Sequence, residues 1–332
     1  MNKPNLFDFA TSELSQDAFI AWLLTWANKE YAETDKNLHA CAVDFVRKLL
    51  NKDDYVVETV KVKMQWKHTD VIAEVNNEFF ILIEDKTGTS ERKNQLKQYL
   101  ELAVEYCKDK NMAVVPTYFK MEEQSNLSKV IATGYSIFTR EKMLSILEKY
   151  HSGITTTNKN DILLDYCFRL KRIDANIASF NILPFEKWHW YSWMGFYSTI
   201  QKELGGNWDY VPNPSGGFLG FWWHWIVKTL DDKEFAVYLQ LEQHKFIFKV
   251  EVNGHHDQSS KLRDYYRKPL FEVAKEQEIG IENYGKVGAY MGVAKLSGEY
   301  RIVTTEGLID LPATIANLKK MEQLIDAVAA KL

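Results

Sequence analysis

Residues Lys67–Tyr99 read KHTDVIAEVNNEFFILIEDKTGTSERKNQLKQY, two apolar strand-like runs followed by a helix. Glu84 and Lys86 close the second run one residue apart. In an extended chain, side chains at i and i+2 leave the same face, so a carboxylate and an ammonium point together. Asp70 opens the first run, and Asn76-Asn77-Glu78 between the runs is turn chemistry, because Asn tolerates positive φ. The two runs are therefore expected to form a hairpin. A two-residue loop at Asn76-Asn77 would set Asp70 opposite Ile83, out of phase with Glu84, whereas a three-residue loop, Asn76 to Glu78, sets it opposite Glu84. The second register, or a bulge that produces the same result, is the expectation, since it brings three charges to one place.

Two carboxylates converging at a strand end repel each other and are costly to desolvate, an arrangement that a hard cation between them relieves. Mg²⁺, or Mn²⁺ in its place, is the expected cofactor, with Asp70 and Glu84 as its ligands. Mg²⁺ takes oxygen at about 2.0–2.1 Å and keeps several waters, which suits one or two carboxylates plus a substrate phosphate. Lys86 would orient an attacking water or offset charge on the phosphorus. The chemistry implied is metal-assisted phosphodiester hydrolysis.

Acid-x-Lys triplets are common, and Glu91-Arg92-Lys93 and Asp231-Asp232-Lys233 occur in the same chain. What distinguishes Glu84-Asp85-Lys86 is an apolar strand ending in it, an Asp on the preceding strand, and a helix with Gln95 and Tyr99 one turn apart just after. With these pieces, and with Glu13-Leu14-Ser15-Gln16-Asp17-Ala18 near the start, the chain resembles an uncharacterised bacterial branch of the PD-(D/E)XK nuclease superfamily. The resemblance covers about the first 150 residues. It implies a restriction-endonuclease-like α/β core, with Asp70 and Glu84 as metal ligands, Lys86 as catalytic lysine and Glu13 as an accessory acid on the first helix. Gln95 would stand behind the site, against metal-bound waters or a phosphate. Thr69 occupies the place of the motif's proline, which is often missing in the superfamily.

At 332 residues, 46% hydrophobic and 26% charged, the chain can bury a sizeable core and reads as two domains, 1–155 and 156–332. The N-terminus lacks a basic segment followed by an apolar run, and no stretch approaches a membrane span, so a cytoplasmic protein away from membranes is expected. Cys41, Cys107 and Cys167 are far apart and read as buried thiols. A net charge of −4 argues against a protein that coats nucleic acid nonspecifically, while leaving room for a local basic groove.

In chain order, residues 11–30 predict an amphipathic helix with Ser15 as N-cap and Asp17 in its first turn. A second helix is expected at Leu38–Leu50, a strand within Tyr55–Trp66, then the hairpin. A helix at Glu91–Cys107 would carry Lys93 and Lys97 one turn apart, where they could track a phosphate backbone or simply face solvent. Strands at Met112–Phe119 and Gly134–Phe138 and a helix at Arg140–Tyr150 complete a mixed sheet flanked by helices. A polar stretch at 151–158 marks the boundary, and Asp161–Ala178 predicts a bridging helix.

The second half predicts an aromatic-rich α+β domain. Seven of the ten tryptophans lie between Trp188 and Trp225, and their simplest reading is core. Strands are expected at Phe218–Val227 and Phe235–Val252, a helix at Lys261–Gln277, a hairpin of Gly288–Leu296 with Glu299–Thr304, and a closing helix at Ile315–Leu332. Lys261, Arg263, Arg267 and Lys268 form a basic patch that could contact nucleic acid, making this the substrate- or partner-recognising half. The reading is thus a Mg²⁺-dependent nuclease, with DNA favoured over RNA by resemblance and defence against foreign DNA as its setting. Double-strand cleavage would call for two sites, hence a homodimer. The rival is a catalytically silent nuclease fold used to bind nucleic acid or protein.

Overall fold

The computed structural model describes residues 4–87, 94–151, 160–213, 216–252, 254 and 256–332. The chain divides into two compact units, Met1–Asp174 and Ala175–Leu332. The division therefore falls 19 residues beyond the expected 155, because the helix α6 (Asp161–Ala178) packs for most of its length on the first unit. Tyr166 stacks on Phe19 with ring centroids 3.7 Å apart, and Arg169 donates to the carbonyls of Phe7 and Ala10.

The first unit runs α1 (Glu13–Thr25), α2 (Lys36–Leu50), β1 (Val60–Trp66), β2 (Thr69–Val75), β3 (Phe79–Lys86), α3 (Gln95–Lys108), β4 (Ala113–Lys120), α4 (Ser128–Ala132), β5 (Ser136–Thr139) and α5 (Arg140–His151). The five strands lie in sequence order, β1 to β3 antiparallel and β3 to β5 parallel, which is the mixed sheet expected. Alternation sorts the side chains between two layers. Ile72, Phe80, Leu82 and Tyr118 pack against Leu96, Ala103 and Cys107 of α3, while Phe119 meets Phe45 of α2 on the opposite face.

The β2–β3 hairpin closes through Asn76, Asn77 and Glu78, with Val75 opposite Phe79 and Val71 opposite Ile83. Asn76 and Asn77 take φ of 51° and 54°, the left-handed conformation that Asn accepts cheaply. This is the three-residue register, and continued by one pair it brings Asp70 level with Glu84.

Two local expectations change. Ser12, not Ser15, is the N-cap residue of α1, so Asp17 belongs to the second turn, where it is fully buried. The helix after the hairpin begins at Gln95, and Lys93 lies outside the described residues.

The second unit carries α7 (Trp190–Leu204), β6 (Asn207–Val211), β7 (Phe218–Leu230), β8 (Lys233–Glu242), β9 (Lys245–Val252), α8 (Ser259–Glu276), β10 (Ile281–Asn283), β11 (Tyr290–Leu296) and α9 (Leu311–Ala329). Its strands form one antiparallel sheet in the order β10-β11-β9-β8-β7-β6. The apolar run Phe235–Val252 is two strands, because Gln243, with φ 51°, and His244 turn the chain between Glu242 and Lys245. Glu299–Thr304 does not pair with β11, whose neighbours are β9 and β10. Tyr300 and Arg301 are both buried, the first donating to the Gln243 carbonyl and the second to Glu299; consecutive inward side chains defeat the alternation of a strand. Trp188, Trp193, Trp208 and Trp223 are core, whereas Trp190 and Trp225 are exposed. Among the described residues no helix is long and apolar enough to cross a membrane, and all three cysteines are free and buried.

Candidate active site

The strands β2 and β3 meet their functional residues at neighbouring ends. Asp70 accepts at Oδ2 the amide of Asp85, at 2.8 Å, which pins its carboxylate beside Glu84. Lys86 lies in the middle: its Nζ is 2.8 Å from Oε1 of Glu84, 3.7 Å from Oδ2 of Asp70 and 3.9 Å from Oε2 of Glu13, and it donates to the Asp85 carbonyl at 2.7 Å. Lys86 ends its strand, yet it is buried along with Glu84.

Gln95, the first residue of α3, donates from Nε2 to Oε1 of Glu84 at 2.8 Å and to the hydroxyl of Tyr99 at 3.2 Å. Glu13, at the N-terminal end of α1, accepts at Oε1 from the amide and hydroxyl of Thr87, at 3.3 and 3.4 Å. Five residues spread from 13 to 95 thus share one pocket of charge.

Burial sets the electrostatics. It raises the Glu84 carboxyl to about 7, helped by the charge of Asp70 and offset in part by Lys86. Asp70 is also raised by burial, though the Asp85 amide and Lys86 pull the other way. For Lys86 burial works against the ammonium, but its bond to Glu84 and the charges of Glu84, Asp70 and Glu13 outweigh it, and its pKa stands above the ordinary value.

Do these residues fit a metal ion? Among the described residues no donor reaches the buried Oε2 of Glu84. An acceptor left bare beside a second carboxylate is a place where a hard cation restores balance. Among the described residues no group of three or more His, Cys, Asp or Glu side chains forms a ligand cluster. Asp70 and Glu84 therefore offer two carboxylates, a set that suits a cation keeping most of its water.

Several polar residues at the site were not anticipated. Asp85 points to the opposite face from Glu84 and Lys86, is fully buried, and accepts from Nε2 of Gln16 at 2.6 Å. Asp17, expected as a helix-start residue, meets Asp85 side chain to side chain; burial, with Asp70 and Glu13 nearby, raises its carboxyl to about 7. Asp85 is raised well above the ordinary range by burial and by Asp17. Lys120, at the end of β4 beside Lys86, donates to the Thr87 carbonyl at 2.9 Å, and burial lowers it to about 8. One signal was available: Glu13, Gln16, Asp17, Ile20 and Leu24 share a helical stripe, so polar residues continue the buried face of α1.

The other candidate contacts are exposed or make contacts of their own. Lys97 is exposed on α3, 4.0 Å from Glu101. On α8, Lys261 pairs with Asp231 and Arg267 with Asp264, while Arg263 donates to the carbonyls of Gly292, Tyr284 and Gly285. Arg263 thereby ties α8 to the β10–β11 segment. Lys268 is exposed.

A mixed sheet between helical layers, with two carboxylates and a lysine at the adjoining ends of an antiparallel pair, defines a restriction-endonuclease-like α/β fold. Residues 4–168 match the family model of the PD-(D/E)XK nuclease superfamily, and this part of the chain belongs to that superfamily. Its members are in general hydrolytic nucleases that use divalent metals. No curated protein and no solved structure matches the chain.

Proposed function

We propose that the protein is a nuclease dependent on Mg²⁺ or Mn²⁺ that hydrolyses phosphodiester bonds, with DNA as its substrate and defence against foreign DNA as its setting. The observation that carries this is the convergence of Asp70, Glu84 and Lys86, with Nζ of Lys86 within 3.7 Å of both carboxylates and Oε2 of Glu84 without a donor among the described residues. Asp70 and Glu84 would hold the ion, which supplies Lewis-acid charge to a phosphoryl oxygen.

The chain's own groups do the rest. Lys86 positions an attacking water or offsets charge on the phosphoryl oxygens, as a compact ammonium with three donors can. Gln95 fixes the Glu84 carboxylate from α3. Glu13, oriented by Thr87, presents a further carboxylate at the edge of the cluster, 3.9 Å from Nζ of Lys86, and would act as an accessory acid. Asp85 supports from behind: its amide orients Asp70 and its carbonyl receives Lys86.

The test is cleavage of labelled DNA and RNA by the parent and by Lys86→Ala, in Mg²⁺, Mn²⁺ and EDTA. Cleavage of DNA that needs the metal and fails in the variant supports the proposal. Cleavage confined to RNA changes the substrate, and no cleavage of either polymer under any condition returns the chain to a binding role.

A further inference from the structure

In the second unit, α7, α8 and α9 all pack on one face of the sheet. Tyr197 of α7 lies 5.6 Å from Phe221, Tyr265 of α8 lies 6.1 Å from Phe235, and Glu322 of α9 accepts from Nε1 of Trp223 at 2.7 Å. Alternation then turns Trp222, Tyr238, Lys249, Glu251 and Tyr290 to the opposite face of the sheet. Tyr238 sits opposite Lys249 on adjoining strands, and Tyr290 opposite Glu251.

Two features set this face apart from a plain solvated sheet. The register of β7 and β8 shifts between Trp223 and Ile226, and Trp225 comes to lie flat on Tyr238, ring centroids 4.2 Å apart and planes 4° from parallel. Glu251 holds the Trp225 indole through Nε1, at 3.2 Å, yet the residue remains 42% exposed and Tyr290 64% exposed. The second feature is Lys249, only 9% exposed and without a hydrogen bond or ion pair among the described residues. Of the carboxylates on this face, Glu251 accepts from Trp225, and Glu242 accepts from Gln240 while its charge acts on Lys249 without an ion pair. Lys245, on the same face, leans on the Tyr284 hydroxyl rather than on a carboxylate.

An ordered aromatic platform beside a nearly buried ammonium that makes no hydrogen bond or ion pair among the described residues fits a ligand that is flat and anionic at once. We propose that this face binds single-stranded nucleic acid, a base stacking on Trp225 and a backbone phosphate reaching Lys249. The choice of a nucleic-acid strand among flat anions rests on the nuclease reading of the first unit; the platform and the unpaired lysine do not. Stacking tolerates every base, so the site would grip a strand without choosing its sequence.

The test is fluorescence anisotropy with the full chain in EDTA, so that no strand is cut, using dye-labelled oligothymidylate and oligouridylate of about 15 nucleotides and a duplex of equal length. Trp225→Ala should weaken binding of the single strand about tenfold, and Trp225→Tyr, which keeps a ring, should restore most of it. Lys249→Met should weaken it severalfold and flatten the salt slope of log K by about 1. The two single strands report whether the sugar matters. The proposal is overturned if the parent binds neither strand, or if Trp225→Ala and Lys249→Met bind as the parent does. It is equally overturned if sedimentation shows that Trp225→Ala breaks up a self-associated parent, which would assign the face to a second copy. Mn²⁺ binding measured on the same proteins without EDTA and without nucleic acid separates the two readings: strand binding lost with metal binding intact removes only this one.

Discussion

Oε1 of Glu84 is shared: Nζ of Lys86 stands 2.8 Å from it, and Nε2 of Gln95 donates to it from α3 at the same distance. Both donors converge on one oxygen, and among the described residues no donor reaches Oε2, the atom that the proposed cation would take. Lys86 thus stands as a counter-charge for Glu84 and Asp70, and in the proposed reaction it would also partner a substrate phosphate.

That double relation makes Lys86→Ala informative beyond activity. Removing one member of a buried ion pair leaves the other uncompensated, so the metal-free variant should lose on the order of 3 kcal/mol of stability. Mn²⁺ should restore most of the loss, because an ion that binds only the folded state stabilises it. Thermal unfolding with and without Mn²⁺ measures both effects, and cleavage should fall by at least about a hundredfold. A variant as stable as the parent without metal would contradict the counter-charge role.

Gln95→Leu removes the donor from α3 while keeping a side chain of similar size. The Glu84 carboxyl loses one of its two fixed partners, worth about 1 kcal/mol as an ordinary net hydrogen bond. Mn²⁺ affinity should drop severalfold by calorimetry while the melting temperature changes little. An unchanged affinity would show that Lys86 alone orients Glu84.

Asp17 makes a prediction about pH. Its carboxyl is raised from 3.8 to about 7, so the folded state holds the proton more tightly than the unfolded chain, and rising pH erodes stability between those values. Above about 7 the penalty is complete and constant. Asp17→Asn should therefore stabilise the metal-free protein at neutral pH by up to a few kcal/mol and have no such effect near pH 4. Denaturant titrations across this range would show the gain growing with pH; a constant difference would contradict the buried-acid account.

Lys120 carries the opposite sign. Burial lowers its ammonium from 10.5 to about 8, so the folded state releases the proton first. The cost is fully present below about 8 and fades as pH rises toward 10.5. Lys120→Met should stabilise the first unit at pH 7, partly offset by the lost bond to the Thr87 carbonyl, and the gain should vanish in alkali.

The heart of the site was legible because it is written in short-range arithmetic. Two-residue alternation joins Glu84 to Lys86, and the length of the Asn76–Glu78 loop decides whether Asp70 joins them. Glu13 was reached only through family resemblance, since nothing in its own surroundings tells that α1 starts beside the end of β3. Asp17 and Asp85 were missed for a related reason: an acid on a helix stripe and an acid inside a strand look solvated until the two elements are known to pack. Lys120 needed the parallel register of β3 and β4, which is set by the crossover helix. In the second unit, Glu299–Thr304 failed as a strand because Tyr300 and Arg301 both turn inward, and neither their burial nor the bond to Gln243 has a local signature.

The most direct test of the metal centre is calorimetry with Mg²⁺ and Mn²⁺ on the parent, Asp70→Ala and Glu84→Ala. The account predicts one binding event in the parent that is lost in both variants. Equal binding in all three proteins, or none in any, would contradict it.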